Sequence, residues 1–78
     1  MTFRILWSYP ALHQLQSLHW LRGAEVDGAV QRFAEKGTGI VERIPEHPAL
    51  RVLHAGAHRA VLRLDLRERT LLVVRLHR

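Results

Sequence analysis

The sequence contains no cysteine, and this absence excludes several classes of protein. Without thiols the 78-residue chain can form neither a disulfide nor a thiolate metal site. Small secreted domains commonly depend on disulfides, so we expect this protein to work in a reducing cytoplasm. We also expect no metal and no other cofactor. His54 and His58 flank a predicted tight turn, but they point to different faces of the predicted sheet.

Long hydrophobic runs are missing as well. Arg4 is the only cation in an apolar opening stretch that Ser8 and Pro10 interrupt, which argues against a secretory signal. No apolar stretch approaches the ~18 residues of a membrane span, so we expect no membrane partner. The apolar fraction of 47% is typical of a folded chain, and the length predicts one domain covering residues 1–78.

Lysine is scarce, because eleven of the twelve cations are arginine and Lys36 is the only lysine. The net charge is +5. Arginine binds phosphate through two parallel donors, so this balance favours a nucleic-acid partner. A GC-rich genome, which favours arginine codons, explains the same composition equally well.

Hydrophobic periodicity predicts an α+β fold with the element order βααβββ. Residues 38–48 form a connection that could include a short extended piece at 40–44, and Pro45 and Pro48 exclude it from a central strand. A short Arg22–Gly23 link between the helices predicts a helical hairpin that covers one sheet face. The predicted strands are 2–7, 50–55, 58–65 and 70–77, and the predicted helices are 10–21 and 24–36.

Two predicted turns set the pairing of the last three strands. A type II′ turn at Gly56–Ala57 pairs His54 with Arg59. A three-residue loop at Arg67–Arg69 pairs Leu66 with Thr70, Ala60 with Leu76, Val61 with Arg75 and Arg59 with His77. Because one face must be buried, the helices should cover the apolar set, which is Ala60, Leu62, Leu64, Leu72, Val74 and Leu76.

This pairing predicts one row of basic side chains on the face away from the helices. His54, Arg59 and His77 share the row, and Arg75 lies two residues from His77 on the same face. Side chains directly opposite each other have Cβ atoms ~4.5–5.5 Å apart, so like charges there repel unless an anion joins them. The row therefore indicates a phosphate site, although a solvated polar sheet face explains the same residues.

Three segments resemble the RelE/ParE toxin superfamily of type II toxin–antitoxin systems. These are Phe3–Ser8 (FRILWS), Gly56–Asp65 (GAHRAVLRLD) and Leu72–Arg78 (LVVRLHR). The third strand of that family commonly reads Gly-x-x-Arg followed by two apolar residues and Tyr. The end of the chain is most similar to the RelE/YoeB-like mRNA interferases, whose YoeB-like branch ends in Arg-Tyr-His-Tyr.

The resemblance implies a cytoplasmic toxin that a cognate antitoxin neutralises. RelE-like members cleave mRNA on the ribosome, and we expect a ribosome-dependent endonuclease that acts through attack of the ribose 2′-OH without a metal. ParE-like members instead inhibit DNA gyrase without being nucleases. A degenerate toxin that acts only as a binding module is a third alternative.

By the same resemblance, Arg59 matches the arginine that contacts the scissile phosphate. His77 matches the C-terminal histidine, which can exchange protons near neutral pH. Glu46 matches the catalytic glutamate of the YoeB-like branch. The remaining candidates for binding RNA or phosphate are Arg75, His54, Arg63 and Arg78.

The sequence also departs from the family pattern. Arg78 stands where a tyrosine often follows the histidine, and Leu62 replaces the usual tyrosine of the third strand. The lysine cluster of RelE is absent. These departures bear on the cleavage chemistry more than on the fold.

Overall fold

The computed structural model describes residues 2–78, which form one five-stranded sheet and two helices. The strands lie in the order β1-β5-β4-β3-β2. β1 runs parallel to β5, and every other neighbouring pair is antiparallel. The predicted α+β class, with helices on a mainly antiparallel sheet, is confirmed. The elements are β1 Arg4–Trp7, α1 Tyr9–Ser17, α2 Trp20–Lys36, β2 Val41–Arg43, β3 Leu50–Ala55, β4 His58–Asp65 and β5 Thr70–His77.

The chain has one strand more than the predicted βααβββ order, and β1 and β2 form the two edges of the sheet. β1, whose place the sequence left open, lies beside β5 with Arg4 opposite Thr70. The extended piece within residues 40–44 is a three-residue strand, β2, paired with β3 at the other edge. The observed order is therefore βααββββ. Pro45 lies two residues beyond the end of β2, which agrees with the predicted exclusion of this segment from the centre of the sheet.

The link between the helices differs from the predicted Arg22–Gly23. α1 ends at Ser17, Leu18 is extended with φ −79° and ψ 152°, and α2 begins at Trp20. His19 caps α2, because its Nδ1 accepts a hydrogen bond from the Leu21 N–H at 3.3 Å. Gly23 lies inside α2 and donates to the His19 carbonyl at 2.9 Å. A capping side chain upstream thus overrides a glycine that the sequence suggested as a helix end.

The core lies between the helices and the sheet. The prediction was right for Ala60, Leu62 and Leu76, and Leu64 is partly buried against the same cluster. It was wrong for Leu72 and Val74, since Leu71 and Val73 are the fully buried residues of β5. The other core residues are Ala11, Val26, Val30, Ala34, Leu53 and Ala55.

A β-bulge in β5 explains this error. Val61 lies opposite Arg75, but the next residue of β4, Leu62, lies opposite Val73. Val74 is therefore an extra residue on β5. Because side chains alternate between the faces of a strand, one inserted residue reverses which side chains face the core before it.

The turn between β4 and β5 is correspondingly longer than predicted. Asp65 pairs with Thr70, so the loop has four residues instead of three and Leu66 does not pair. The Asp65 Oδ1 accepts hydrogen bonds at 3.0 Å from the N–H groups of Arg67 and Glu68. Arg69 completes the turn in the left-handed region, with φ 54°. This aspartate-capped turn absorbs the residue that the bulge adds.

Within residues 2–78, neither helix has the length and apolar character required to cross a membrane.

Candidate phosphate-binding site

The sheet face away from the helices, called here the open face, carries the predicted row of basic side chains. His54 lies opposite Arg59, and Arg59 lies opposite His77. Arg59 and His77 are exposed, and His54 is partly buried. The predicted pairing of these three residues, the basic row, is confirmed. Directly opposite side chains have Cβ atoms ~4.5–5.5 Å apart, so one phosphate can contact neighbouring members of the row.

Burial of neighbouring residues determines which way the row faces. On β4, His58 and Ala60 are buried on either side of Arg59, at 8% and 0% exposure. On β5, Leu76 is buried immediately before His77. Since strand residues alternate between faces, burying these neighbours directs Arg59 and His77 to the open face.

Ser8 holds the bulge that sets the last part of β5. The Ser8 hydroxyl donates to the carbonyl of Val74 at 2.6 Å, and the Ser8 N–H donates to the carbonyl of Val73 at 3.0 Å. The same hydroxyl accepts from the Ala11 N–H at 3.1 Å, which caps α1. One serine therefore connects the end of β1, the start of α1 and the bulge. Beyond the bulge, Arg75 is exposed opposite Val61.

Gln14 of α1 continues this support where β1 has ended. Its side-chain amide donates to the carbonyl of Leu76 at 2.9 Å, and its carbonyl accepts from the Leu76 N–H at 2.9 Å. The free edge of β5 is thereby hydrogen-bonded as if by another strand. Leu76 directly precedes His77, so this pair of bonds fixes the backbone that carries the histidine.

A carboxylate that the sequence did not single out lies beside the row. The Nε2 of His54 is 2.7 Å from the Oε2 of Glu42. Glu42 is on β2, where its backbone lies opposite Val52. The backbone N–H of His54 donates to the Ile40 carbonyl at 2.9 Å, which holds the two strands together next to this pair. Both side chains are partly exposed, so the pair contributes little stability but can orient the imidazole.

The other predicted site residues lie at different distances from the row. Glu46 is in the β2–β3 turn. This turn ends at Leu50, the first residue of β3, whose N–H donates to the His47 carbonyl at 2.9 Å. The strand from Leu50 to His54 spans ~13 Å, so Glu46 and the row are not brought together. Arg63 is on the open face opposite Leu72, a similar ~13 Å from Arg59.

Arg78 follows His77 directly and is exposed. With Arg75 it adds positive charge to the end of the sheet where the row lies. Among residues 2–78, no group of three or more His, Asp or Glu side chains is arranged to hold a metal ion. The site as arranged can bind an anion through arginine and can move protons through two histidines, His54 and His77.

No protein-family model and no curated protein matches this chain. Its fold matches that of a chain in the crystal structure of the toxin–antitoxin complex RelBE2 from Mycobacterium tuberculosis, with a TM-score of 0.71. The two chains are 22% identical, and the match covers 100% of each. The shared fold thus extends over the whole length of both chains.

Proposed function

We propose that this chain is the toxin of a type II toxin–antitoxin pair, a single domain of residues 1–78 that cleaves ribosome-bound mRNA in the cytoplasm. The observation that carries the proposal is the basic row, in which His54, Arg59 and His77 are aligned across three strands. The fold shared with a chain of a toxin–antitoxin complex supports it. So does the resemblance of the two strand motifs to RelE-like toxins.

The reaction that suits these side chains is transesterification at a ribose. The 2′ oxygen attacks the adjacent phosphorus, an O2′–P bond forms and the P–O5′ bond breaks. A base accepts the proton of the 2′-OH, and an acid donates a proton to the departing 5′ oxygen. The products are a 2′,3′-cyclic phosphate and a 5′-hydroxyl.

Each member of the site has a role in this scheme. Arg59 would bind the non-bridging phosphate oxygens and stabilise the charge that develops on them. His77 would donate the proton to the 5′ oxygen. His54 would accept the proton of the 2′-OH, and Glu42 would hold its imidazole in place. The 2.7 Å contact supports Glu42 rather than Glu46 as the carboxylate of this site.

The remaining arginines suit the flanking phosphates. Arg75 lies on β5 opposite Val61, which is two residues after Arg59 on β4. Arg63 lies two residues further along β4, opposite Leu72. Each step is ~6.6 Å, so the three guanidinium groups can contact successive phosphates of one extended strand. Arg78 would contact the RNA at the other side of His77.

Inhibition of DNA gyrase is the second candidate, and one observation favours it. Leu62 is fully buried on the helix-facing side, where the RNA-cleaving relatives that the sequence resembles commonly carry a tyrosine. Cleavage of a defined mRNA in reconstituted translation, run beside a gyrase supercoiling assay, separates the two. Cleavage without loss of supercoiling supports the nuclease, and the reverse result replaces it with the gyrase inhibitor.

An antitoxin is the partner that this surface suits. The chain carries a net charge of +5 and exposes several large apolar side chains. Trp20 is 73% exposed, and Leu21 and Ile40 are 51% and 70% exposed. An acidic, amphipathic segment would offset the charge and cover these side chains. We therefore propose an acidic antitoxin that wraps this domain.

A further inference from the structure

A groove lies between α1 and the end of the sheet, next to the basic row. We call it the α1 groove, and its lining includes His13, Ser17, Leu18, His58, Leu76 and His77. Its volume is about 260 Å³. His77 lines this groove and is also a member of the basic row, so the two adjoin at His77. The mechanism above makes no use of His13, Ser17 or His58.

His58 gives this groove the character of a binding site. It is 8% exposed and is the buried polar residue of the described chain. None of the hydrogen bonds within residues 2–78 involves its ring nitrogens. No fully buried side-chain nitrogen or oxygen in that range lacks a partner, so the nitrogens of His58 reach solvent through the groove that it lines. An imidazole held by the core, with ring nitrogens that open only into the groove, can hydrogen-bond to a ligand there in place of water.

We infer that the α1 groove holds the base of the mRNA nucleotide adjoining the cleaved phosphate. This inference rests on the proposed mRNA cleavage and names a specificity site for it. Leu18 and Leu76 offer apolar contact to the plane of a base, and imidazoles can stack on bases or hydrogen-bond to their edges. His77 then touches the phosphate of the nucleotide whose base lies against His58.

The size of the groove and its two leucines favour a base over other ligands. Pockets for drug-sized ligands and cofactors have volumes of about 300–1,000 Å³, so this smaller groove suits one base. A free phosphate would gain little from Leu18 and Leu76. Arg78, which follows His77, also lines the groove and suits the phosphate attached to the base, whereas Arg59 and Arg75 lie on the open face.

A pair of α1 variants tests the groove against the row. Ser17→Phe places a ring in the groove from an exposed position in the last turn of α1. Gln16→Phe adds the same ring at the neighbouring exposed position, which does not line the groove. We expect Ser17→Phe to slow mRNA cleavage roughly tenfold, the scale of one lost base contact, and to weaken the nucleotide preference beside the cut. Gln16→Phe should match the parent in both.

Direct binding supplies a readout that is independent of cleavage. The probes are the four nucleoside 5′-monophosphates, titrated into the full chain while the histidine ring signals are followed by NMR. We expect saturable shifts of the His13, His58 and His77 signals, unequal among the four bases, and none at His47 in the β2–β3 turn. Inorganic phosphate should move His77 without moving His13.

The outcomes distinguish this inference from the proposed function. If the parent cleaves mRNA, and Ser17→Phe is folded and cleaves at the parent rate with the same nucleotide profile, the groove does not hold the base. If the parent does not cleave mRNA, the proposed function fails and the titration alone decides. Saturable shifts that depend on the base would then still support a nucleotide site in the α1 groove, and the absence of such shifts would overturn the inference.

Discussion

At the scale of single residues, the open face concentrates charge where nothing within the described chain neutralises it fully. Arg59 lies between two histidines, and Glu42 contacts only one of them. An anion bound beside Arg59 can accept hydrogen bonds from the guanidinium and from a neighbouring imidazole N–H. Their arrangement is maintained by the burial of Ala60 and Leu76 beside them. The core thus holds the basic row in place, although the row itself contributes nothing to the packing of the core.

The first prediction concerns Arg59 and His77. Arg59→Ala and His77→Ala should each slow mRNA cleavage by ~100-fold or more, the scale of a lost electrostatic or acid–base group. Both side chains are exposed, so the free energy of unfolding should change by less than ~0.5 kcal/mol. Single-turnover cleavage and urea denaturation measure the two effects.

Two exposed residues away from the site are the matched controls. Arg32 lies on α2 and His47 in the β2–β3 turn, and both are exposed. Arg32→Ala and His47→Ala should cleave as the parent does. Folded Arg59→Ala and His77→Ala variants with parental cleavage rates would show that the row is only a solvated surface.

The second prediction concerns the carboxylate beside His54. Glu42→Gln keeps the size of the side chain but removes its charge, so the imidazole is oriented less firmly. Cleavage should fall roughly 10–100-fold, the range for a residue that orients an active histidine. Stability should change by less than about 1 kcal/mol, as for other exposed pairs. Glu35→Gln on α2 is the control, and equal cleavage by both variants would remove Glu42 from the site.

At the scale of elements, α1 and the bulge in β5 act together. α1 covers the edge of β5 that β1 leaves unpaired, through Ser8 at the bulge and Gln14 at Leu76. The bulge itself could not be predicted from hydrophobicity. Residues 71–74 read Leu-Leu-Val-Val, so the face that packs on the core is apolar whether it carries residues 71 and 73 or residues 72 and 74. Register is specified only where the pattern distinguishes the two faces.

The third prediction tests this support. Gln14→Leu removes both hydrogen bonds to Leu76 and leaves its backbone groups without a partner at the strand edge. The free energy of unfolding should fall by about 1–3 kcal/mol, as for unsatisfied, partly buried polar groups. Cleavage should fall even at temperatures where the variant is fully folded, because the backbone of His77 loosens. Gln16 is exposed and lies two residues further along α1, so Gln16→Leu should change neither stability nor cleavage. Cleavage at the parental rate by Gln14→Leu would contradict the role of α1.

At the scale of the whole molecule, some features follow from the sequence and others depend on contacts between distant segments. The strands and helices with clear periodicity were predicted, and so was the basic row, because Gly56 sets a two-residue turn with φ 63°. β2 is only three residues long and depends on β3 for its pairing. Glu42 could therefore not be assigned to the site. The start of α2 depends on His19, whose Nδ1 accepts a hydrogen bond from the Leu21 N–H. This cap places the start of the helix before Gly23, the residue that the sequence suggested as the break between the helices.

The fourth prediction concerns the partner. Expression of this chain alone should slow bacterial growth, and co-expression of a short acidic protein encoded next to it should restore growth. The Arg59→Ala variant should grow normally and still co-purify with that protein, because Arg59 is on the open face whereas the exposed Trp20 and Leu21 are on α2, which packs on the other face. Normal growth at high soluble expression of the parent would contradict a toxin.

The most direct test of the central claim is to map the ends of a defined mRNA in a reconstituted translation system. The parent protein should produce new 5′-hydroxyl and 2′,3′-cyclic phosphate ends within the coding region, and only when ribosomes are present. A single 2′-deoxynucleotide on the 5′ side of the cut should abolish cleavage there, and Arg59→Ala should slow it by ~100-fold. An intact mRNA after incubation with the folded parent protein, or cleavage that the deoxynucleotide does not prevent, would contradict the proposed chemistry.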